Sequence, residues 1–119
     1  MSTKEIAVRL KELCAQAQFE TALKELFAQD AVSIEPYAAN GFQKETKGME
    51  AILAKGELWN SMVEEHHGFA ISEPIVAGES FALTMSMEVT MKGRGRTNMT
   101  EICLYKVKEG KIISEEFFM

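Results

Sequence analysis

The strongest constraint in the sequence is a strict alternation of apolar and mainly polar side chains between Ser80 and Met91. Successive side chains of a β-strand point to opposite faces, so this segment predicts a long strand with one fully apolar face. Such a strand needs neighbouring strands and a hydrophobic layer over its apolar face. That face consists of Phe81, Leu83, Met85, Met87, Val89 and Met91.

Further alternating segments surround this strand and are separated from it by turn residues. Residues 77–79, 92–96 and 108–110 contain glycine and charged side chains, which are typical of turns. We therefore expect an antiparallel meander of strands over residues 66–76, 80–91, 97–107 and 112–119. An earlier short strand is expected over residues 32–35, ended by Pro36.

Helical periodicity dominates the first half of the chain. Apolar residues recur at helical spacing over residues 3–17, 20–28 and 49–63. A polar segment at residues 37–48 lacks periodicity, which favours a loop of the kind that overlies a binding site. Helices followed by strands indicate an α+β domain in which the helices cover one face of the sheet.

Length and composition predict one soluble, cytoplasmic domain over residues 1–119. The 119 residues are 46% hydrophobic and 26% charged, as in ordinary globular domains. A net charge of −5 argues against nucleic-acid binding, and no apolar segment is long enough to predict a signal peptide or a membrane span. Cys14 and Cys103 lack metal-binding spacing, so we expect two reduced, buried thiols.

Several short segments together resemble the SnoaL-like branch of the nuclear transport factor 2-like superfamily. They are the amphipathic helix pair, residues 26–32 (LFAQDAV), Gly48 before the third helix, and the closing segments 101–112 (EICLYKVKEGKI) and 115–118 (EEFF). The resemblance implies three N-terminal helices packed on a strongly curved mixed or antiparallel sheet, forming a cone with an internal pocket. It leaves function open, since such proteins include polyketide cyclases, ketosteroid isomerase relatives, dehydratases, and non-catalytic ligand-binding or dimerising domains.

The resemblance also implies an acid or a histidine inside the cone. If Met91 lies opposite Thr97, Met87 lies beside Glu101, Met85 beside Cys103 and Leu83 beside Tyr105. If Val107 lies opposite Lys111, Phe117 lies beside Glu101, Glu115 beside Cys103 and Ile113 beside Tyr105. Glu101 and Glu115 then share the apolar face.

Glu101, Glu115 and Tyr105 are the candidate catalytic residues. A carboxylate among Met85, Met87, Met99 and Phe117 would be desolvated, which raises its pKa toward the range useful for proton transfer beside a carbonyl. Tyr105 or a protonated Glu115 could donate a hydrogen bond to an enolate oxygen. Equally, Glu101 could be a structural strand residue, Tyr105 a packing residue, and Glu116 the residue that faces inward instead of Glu115.

The candidate ligand-binding residues are His67, Trp59, Met85, Met87, Met99 and Phe117. His67 reaches the apolar face if Ile71 lies opposite Met85, but a partly exposed histidine is the alternative. Trp59 could equally pack the helix on the sheet, and the methionines could fill a core. Glu35 could reach the mouth of the cone or face water.

Three functions remain open from the sequence. The first is a cofactor-free isomerase or cyclase acting on an apolar carbonyl compound, since no phosphate loop, metal cluster or nucleophile motif is present. The second is a non-catalytic small-molecule binding domain, and the third is a dimerisation module whose cone is filled by its own methionines. Ile102, Leu104 and Phe118 on the outer sheet face predict a homodimer.

Overall fold

The first half of the chain forms three helices and two strands, and the second half forms a meander of strands. A computed structural model describes residues 1–39 and 41–119. The helices are α1 (Thr3–Ala15), α2 (Phe19–Leu26) and α3 (Met49–Met62). The strands are β1 (Phe27–Ile34), β2 (Glu45–Lys47), β3 (Val63–Ile71), β4 (Ile75–Ala77), β5 (Ser80–Met91), β6 (Gly95–Lys108) and β7 (Lys111–Phe118).

The seven strands form one open mixed sheet. Their order is β2-β1-β7-β6-β5-β3, with β4 also paired to β5. β1 and β7 run parallel, whereas the other neighbouring strands run antiparallel. The parallel pair brings the start of the sheet against its last strand, and the predicted α+β class is confirmed.

Some predicted element boundaries are wrong. β1 begins at Phe27, directly after α2, where the periodicity predicts helix to residue 28 and strand only from residue 32. The predicted strand 66–76 is two strands, β3 and β4, because Pro74 between them has no N–H to donate. The predicted loop 37–48 contains the short strand β2, and Asn40 within that loop lies outside the described residues.

Side-chain capping explains where α1 begins. Ser2 precedes the helix, and its hydroxyl accepts a hydrogen bond from the Glu5 backbone N–H at 3.1 Å. The Glu5 carboxylate in turn accepts from the Ser2 backbone N–H at 2.8 Å. This reciprocal capping box satisfies two donors that the first helical turn leaves free. It fixes the start of a helix that presents Ile6 and Leu10 to the core.

The β5–β6 register differs by two residues from the predicted one. Met91 pairs with Gly95 and not with Thr97, because the turn has only three residues, 92–94. The predicted pairs of Met87 with Glu101, Met85 with Cys103 and Leu83 with Tyr105 are therefore wrong. The observed pairs are Met87 with Met99, Met85 with Glu101, Leu83 with Cys103 and Phe81 with Tyr105.

The β6–β7 register is also displaced by two residues. Glu109 and Gly110 both have positive φ, 52° and 77°, so the turn is a two-residue turn that pairs Lys108 with Lys111. An irregularity between Lys106 and Val107 then adds one residue to β7, because Val107 pairs with Ile112 but Lys106 pairs with Ser114. The predicted pairs of Phe117 with Glu101, Glu115 with Cys103 and Ile113 with Tyr105 are wrong; Phe117 lies beside Cys103 and Glu115 beside Tyr105.

Both displacements are even, so the side chains of β5, β6 and the part of β7 from Glu115 onward keep their predicted faces. Ile112 is the exception, because it lies on the turn side of the β7 irregularity, pairs with Val107 and is buried in the core, not on the outer face that alternation predicts. We call the face that carries the odd-numbered residues of β5 and β6, together with Ile112, Glu115 and Phe117 of β7, the inner face. It packs against the three helices to form the hydrophobic core. The core includes Ile6, Leu10 and Leu13 of α1, Leu26 of α2, Ile52 of α3, and Phe81, Leu83, Cys103 and Tyr105 of the sheet.

No helix in the described part of the chain is both long enough and apolar enough to cross a membrane.

Candidate functional site

Five polar side chains are associated with the otherwise apolar inner face of the sheet and with the helix that covers it. We call them the inner polar cluster. They come from the end of β1, from α3, from β6 and from β7, and hydrogen bonds link four of them. The cluster consists of Ser33, Glu35, Lys55, Glu101 and Glu115.

The parallel pairing of β1 and β7 places Ser33 directly beside Glu115. The Ser33 hydroxyl donates to Oε2 of Glu115 at 2.6 Å. Ser33 is fully buried and Glu115 is 8% exposed, so this hydrogen bond lies in the protein interior. Burial raises the pKa of Glu115, while the Ser33 hydrogen bond and the nearby Lys55 ammonium oppose that rise.

Lys55 brings a positive charge from α3 to the same place. Its Nζ donates to the Ser33 hydroxyl oxygen at 2.5 Å and to Oε2 of Glu35 at 2.8 Å. The Lys55 side chain is 14% exposed and that of Glu35 is 24% exposed. Nζ also lies 5.5 Å from the centre of the Phe117 ring, within the range of a cation–π interaction.

Glu101 is the carboxyl of the inner polar cluster with the weakest hydrogen-bond donor beside it. The side chain is half-buried, and its recorded hydrogen-bond contact is the Cys103 thiol, with Sγ 3.8 Å from Oε1. Burial raises the pKa of Glu101 to about 7, and the charges of Glu35 and Glu115 add to this rise. A carboxyl with this pKa can both take up and release a proton near neutral pH.

Glu101 and Glu115 share a face but are not direct neighbours. Tyr105 lies opposite Glu115, and the pair of Cys103 and Phe117 lies between that pair and Glu101. The predicted register places the two acids in neighbouring cross-strand pairs, whereas in the structure one further pair separates them. Their charges still influence each other, as the raised pKa of Glu101 reflects.

Tyr105 lies deep in the core. It is 2% exposed, its ring stacks on Phe81 at a centroid distance of 4.8 Å, and Phe27 meets it edge-on at 6.4 Å. Burial raises the pKa of its hydroxyl well above the ordinary value. These contacts are those of a packing residue, which is one of the two roles left open by the sequence.

His67 lies apart from the inner polar cluster. The pairing of Ile71 with Met85 is as predicted, but the β3–β5 register shifts between His66 and Gly68, so the alternation of faces is broken at His67. Nε2 of His67 lies 2.6 Å from the Thr90 hydroxyl, on a residue of the outer face. The bulge therefore gives His67 a different neighbourhood from Glu101.

The other predicted ligand-binding residues lie at different distances from Glu101. Met85 is its cross-strand neighbour and is buried, and Met99 and Phe117 share its face. Met87 pairs with Met99, one position further along the sheet. Trp59 is half-buried on α3, one helical turn after Lys55.

Burial and contacts show that Glu115, and not Glu116, faces inward. Glu115 is buried and bonded to Ser33, whereas Glu116 pairs with Leu104 on the outer face. Glu35, which could have faced water, is instead bonded to Lys55.

Ser33 and Lys55 are the two members of the inner polar cluster that were not predicted from the sequence. Alternation over residues 32–35 favours Val32 and Ile34 as the inward residues, but Ser33 is the buried one. Lys55 did carry a signal. It lies three residues after Ile52 and four before Trp59, so a lysine occupies the apolar side of α3.

Two shallow surface depressions lie elsewhere on the molecule. One follows α1, and the other lies where β3 meets β5 and includes Met87. Glu101 lines neither of them, so the internal pocket stays a prediction. Within residues 1–39 and 41–119, no three His, Cys, Asp or Glu side chains are grouped so as to hold a metal ion.

Comparisons with known proteins agree with this architecture. The family model of the SnoaL-like domain matches residues 1–119. A candidate SnoaL-like polyketide cyclase from Mesorhizobium loti is 35% identical, with a TM-score of 0.92 and 100% of both chains covered. No curated protein matches the chain.

Two more distant structures share the fold. A nuclear transport factor 2-like protein of unknown function from Burkholderia pseudomallei is 16% identical, with a TM-score of 0.82, covering 100% of this chain and 92% of the other. A protein with a ketosteroid isomerase-like fold from Catenulispora acidiphila, solved with trimethylamine, is 20% identical, with a TM-score of 0.68, covering 84% and 74%. With its three helices, its mixed sheet and a family match over its whole length, the chain belongs to the SnoaL-like family.

Proposed function

We propose that this protein is a cofactor-free isomerase or cyclase-like enzyme that acts on an apolar carbonyl compound, with Glu101 as the acid–base residue. The Glu101 carboxylate would take a proton from the carbon beside the carbonyl, and the electron pair of the broken C–H bond would move to the carbonyl oxygen as an enolate. Return of the proton to another carbon, or attack of the enolate carbon on a second carbonyl, would complete an isomerisation or a ring closure.

One observation carries this proposal: Glu101 is a half-buried carboxyl on an apolar face, with its pKa raised to about 7. Its cross-strand neighbour is the buried thioether of Met85, and its recorded hydrogen-bond contact is a weak thiol donor. A strand carboxyl kept for structure alone is ordinarily ion-paired or bonded to strong donors, as Glu35 is to Lys55. The similarity to a candidate polyketide cyclase supports the same class of chemistry.

A second function, ligand binding without turnover, is favoured by the position of Tyr105. An enolate needs a hydrogen-bond donor at its oxygen, and the Tyr105 hydroxyl belongs to a ring packed between Phe81 and Phe27. Glu115 is hydrogen-bonded by Ser33 as an acceptor. The same face could therefore hold an apolar molecule through Glu101 without assisting its enolisation.

The test that separates these functions measures proton exchange and binding side by side. A panel of apolar ketones is incubated with the protein in D2O, and loss of the signal of the hydrogens beside the carbonyl is followed by NMR. The enzyme proposal predicts exchange that falls by about a hundredfold or more in Glu101→Gln, while binding persists because the amide keeps the shape of the side chain.

Glu116→Gln is the matched control, because Glu116 lies on the neighbouring strand but on the outer face. It should leave exchange unchanged. Binding of ketones without exchange above the buffer rate would support the second function. Equal exchange by the wild-type protein and Glu101→Gln would reject Glu101 as the base.

We also propose that the outer sheet face forms a homodimer. Ile75 of β4 is 76% exposed, Ile102 of β6 is 51% exposed and Phe118 of β7 is 45% exposed. Ile102 and Phe118 are cross-strand neighbours, so their apolar surfaces are continuous. Large apolar side chains exposed together on a small domain are typical of protein interfaces.

A further inference from the structure

A chain of hydrogen bonds with a fixed direction runs through the inner polar cluster. Nζ of Lys55 lies 2.5 Å from the Ser33 hydroxyl oxygen, and that oxygen lies 2.6 Å from Oε2 of Glu115. Ser33 is fully buried, so water does not compete for its hydroxyl. The chain joins α3, β1 and β7.

The direction follows from the chemistry of the ammonium group. A lysine ammonium has three N–H donors and no acceptor, so the Ser33 oxygen must accept from Lys55. The single hydroxyl proton of Ser33 is then free to point to Glu115, whose Oε2 must accept it. Oε2 of Glu115 is thus held as an acceptor. Burial raises the pKa of Glu115, and the hydrogen bond from Ser33 opposes that rise because it favours the ionised carboxylate.

We propose that Ser33 and Lys55 are positioning residues that hold Glu115 as the ionised hydrogen-bond acceptor of the inner polar cluster and so leave Glu101 as the group that exchanges a proton. The inference rests on the proposed acid–base role of Glu101. It assigns Glu115 a different role from the hydrogen-bond donor to an enolate considered from the sequence.

The surroundings of the two acids support this division. Glu115 accepts from the Ser33 hydroxyl and lies near the Lys55 ammonium, whereas the hydrogen-bond donor beside Glu101, among the described residues, is the Cys103 thiol. The Lys55 ammonium also opposes the rise in the pKa of Glu101, but it is the smallest of the causes. The other titratable groups near the pair are Glu35, directly after β1, and Cys103 on β6, which act on the pKa of the acids, and Tyr105 and Cys14, whose own pKa values the acids raise. The negative charge of Glu115 is one of the causes that raise the pKa of Glu101. An ionised Glu115 therefore favours a proton on Glu101.

Titration of the two carboxyls tests the inference without any substrate. The side-chain carboxyl carbons of labelled glutamate are followed by NMR from pH 4 to pH 9, with Glu101→Gln and Glu115→Gln used to assign the two signals. In Ser33→Ala the Glu115 midpoint should rise, because its donor is lost, and the Glu101 midpoint should fall, because Glu115 now keeps a proton. Midpoints that stay in place, or that both move in the same direction, would overturn the inference.

Two further variants control for changes in packing. Ser33→Thr restores the hydroxyl and should return both midpoints toward the wild-type values. Ser86→Ala removes a serine hydroxyl that is bonded to Thr100 on the outer face, and it should move neither midpoint.

If Ser33→Ala does not fold, Lys55→Gln tests the same chain, because it removes the charge and allows the side chain to accept as well as donate. The Glu115 midpoint should then rise, and an unchanged midpoint would overturn the inference. The exchange assay keeps this result separate from the proposed function. If the Glu115 midpoint rises and the Glu101 midpoint falls but no ketone exchange is seen, the hydrogen-bond chain is upheld and the enzyme proposal is rejected. Ketone exchange without those shifts would uphold the enzyme proposal and reject the hydrogen-bond chain.

Discussion

Met85 of β5 and Glu101 of β6 are direct cross-strand neighbours, and Met85 is only 6% exposed. A carboxyl beside a buried thioether loses hydration without gaining a strong donor, which favours its neutral form. This pairing therefore contributes to the burial that raises the pKa of Glu101.

The stability of the protein should therefore decrease as the pH rises through neutrality. The pKa of Glu101 in the folded protein is raised to about 7 from an ordinary 4.5, so between these values the folded state binds more protons than the unfolded state. The contribution of Glu101 is fully present below pH 4.5 and is lost as the pH passes 7.

Glu101→Gln removes this dependence. Urea unfolding at pH 8 should show the variant more stable than wild type by on the order of 1–3 kcal/mol, while the two should differ little at pH 4.5. Glu57→Gln, on an exposed position of α3, is the control and should follow the wild-type curve. A difference at pH 8 no larger than that at pH 4.5 would contradict the raised pKa.

Tyr105 should behave as a packing residue. Tyr105→Phe keeps the ring in contact with Phe81 and Phe27 and should leave ketone exchange within about threefold of wild type. Loss of the hydroxyl would lower the exchange rate further only if that hydroxyl donated a hydrogen bond to the reacting oxygen. Tyr105→Ala leaves a cavity and should lower the free energy of unfolding by about 3–5 kcal/mol. Loss of exchange in Tyr105→Phe, with stability unchanged, would restore the donor role for Tyr105.

Both cysteines should be unreactive in the folded protein. Burial raises the pKa of Cys14 to about 12 and also raises that of Cys103, and both side chains are buried, so neither supplies an accessible thiolate at pH 8. A colorimetric thiol reagent at pH 8 should detect no fast-reacting thiol without denaturant and two thiols in guanidinium chloride. A thiol that reacts within seconds in the folded protein would contradict this arrangement.

The outer-face homodimer predicts a dimer mass by light scattering at micromolar concentration and neutral pH. Ile102→Glu places a charge in the middle of the proposed interface and should convert the dimer to a monomer, because burying an unpaired charge is costly. Val8→Glu makes the same change at a 41% exposed position of α1 and should remain dimeric. A monomer mass for the wild-type protein would reject the proposed dimer.

The faces of the sheet could be predicted from the sequence. Alternation over residues 80–91 assigns Met85 and Met87 to the inner face, and the same rule assigns Glu101, Tyr105 and Phe117 to it. The period of two in a strand is a local property of the backbone, so it does not depend on which strand lies alongside. Helix periodicity is local in the same sense.

Register and long-range pairing were decided by the tertiary structure. The short turns at residues 92–94 and 109–110, together with an irregularity in β7, moved each hairpin pair by two positions, a distance that alternation alone cannot detect. The contact of Ser33 with Glu115 joins residues 82 positions apart and exists only because β1 lies parallel to β7. Residue types thus determined which side chains of β5 and β6 face inward, whereas the parallel pairing of β1 with β7 determined which carboxyl receives a donor, because hydrogen bonds depend on a few ångströms of placement.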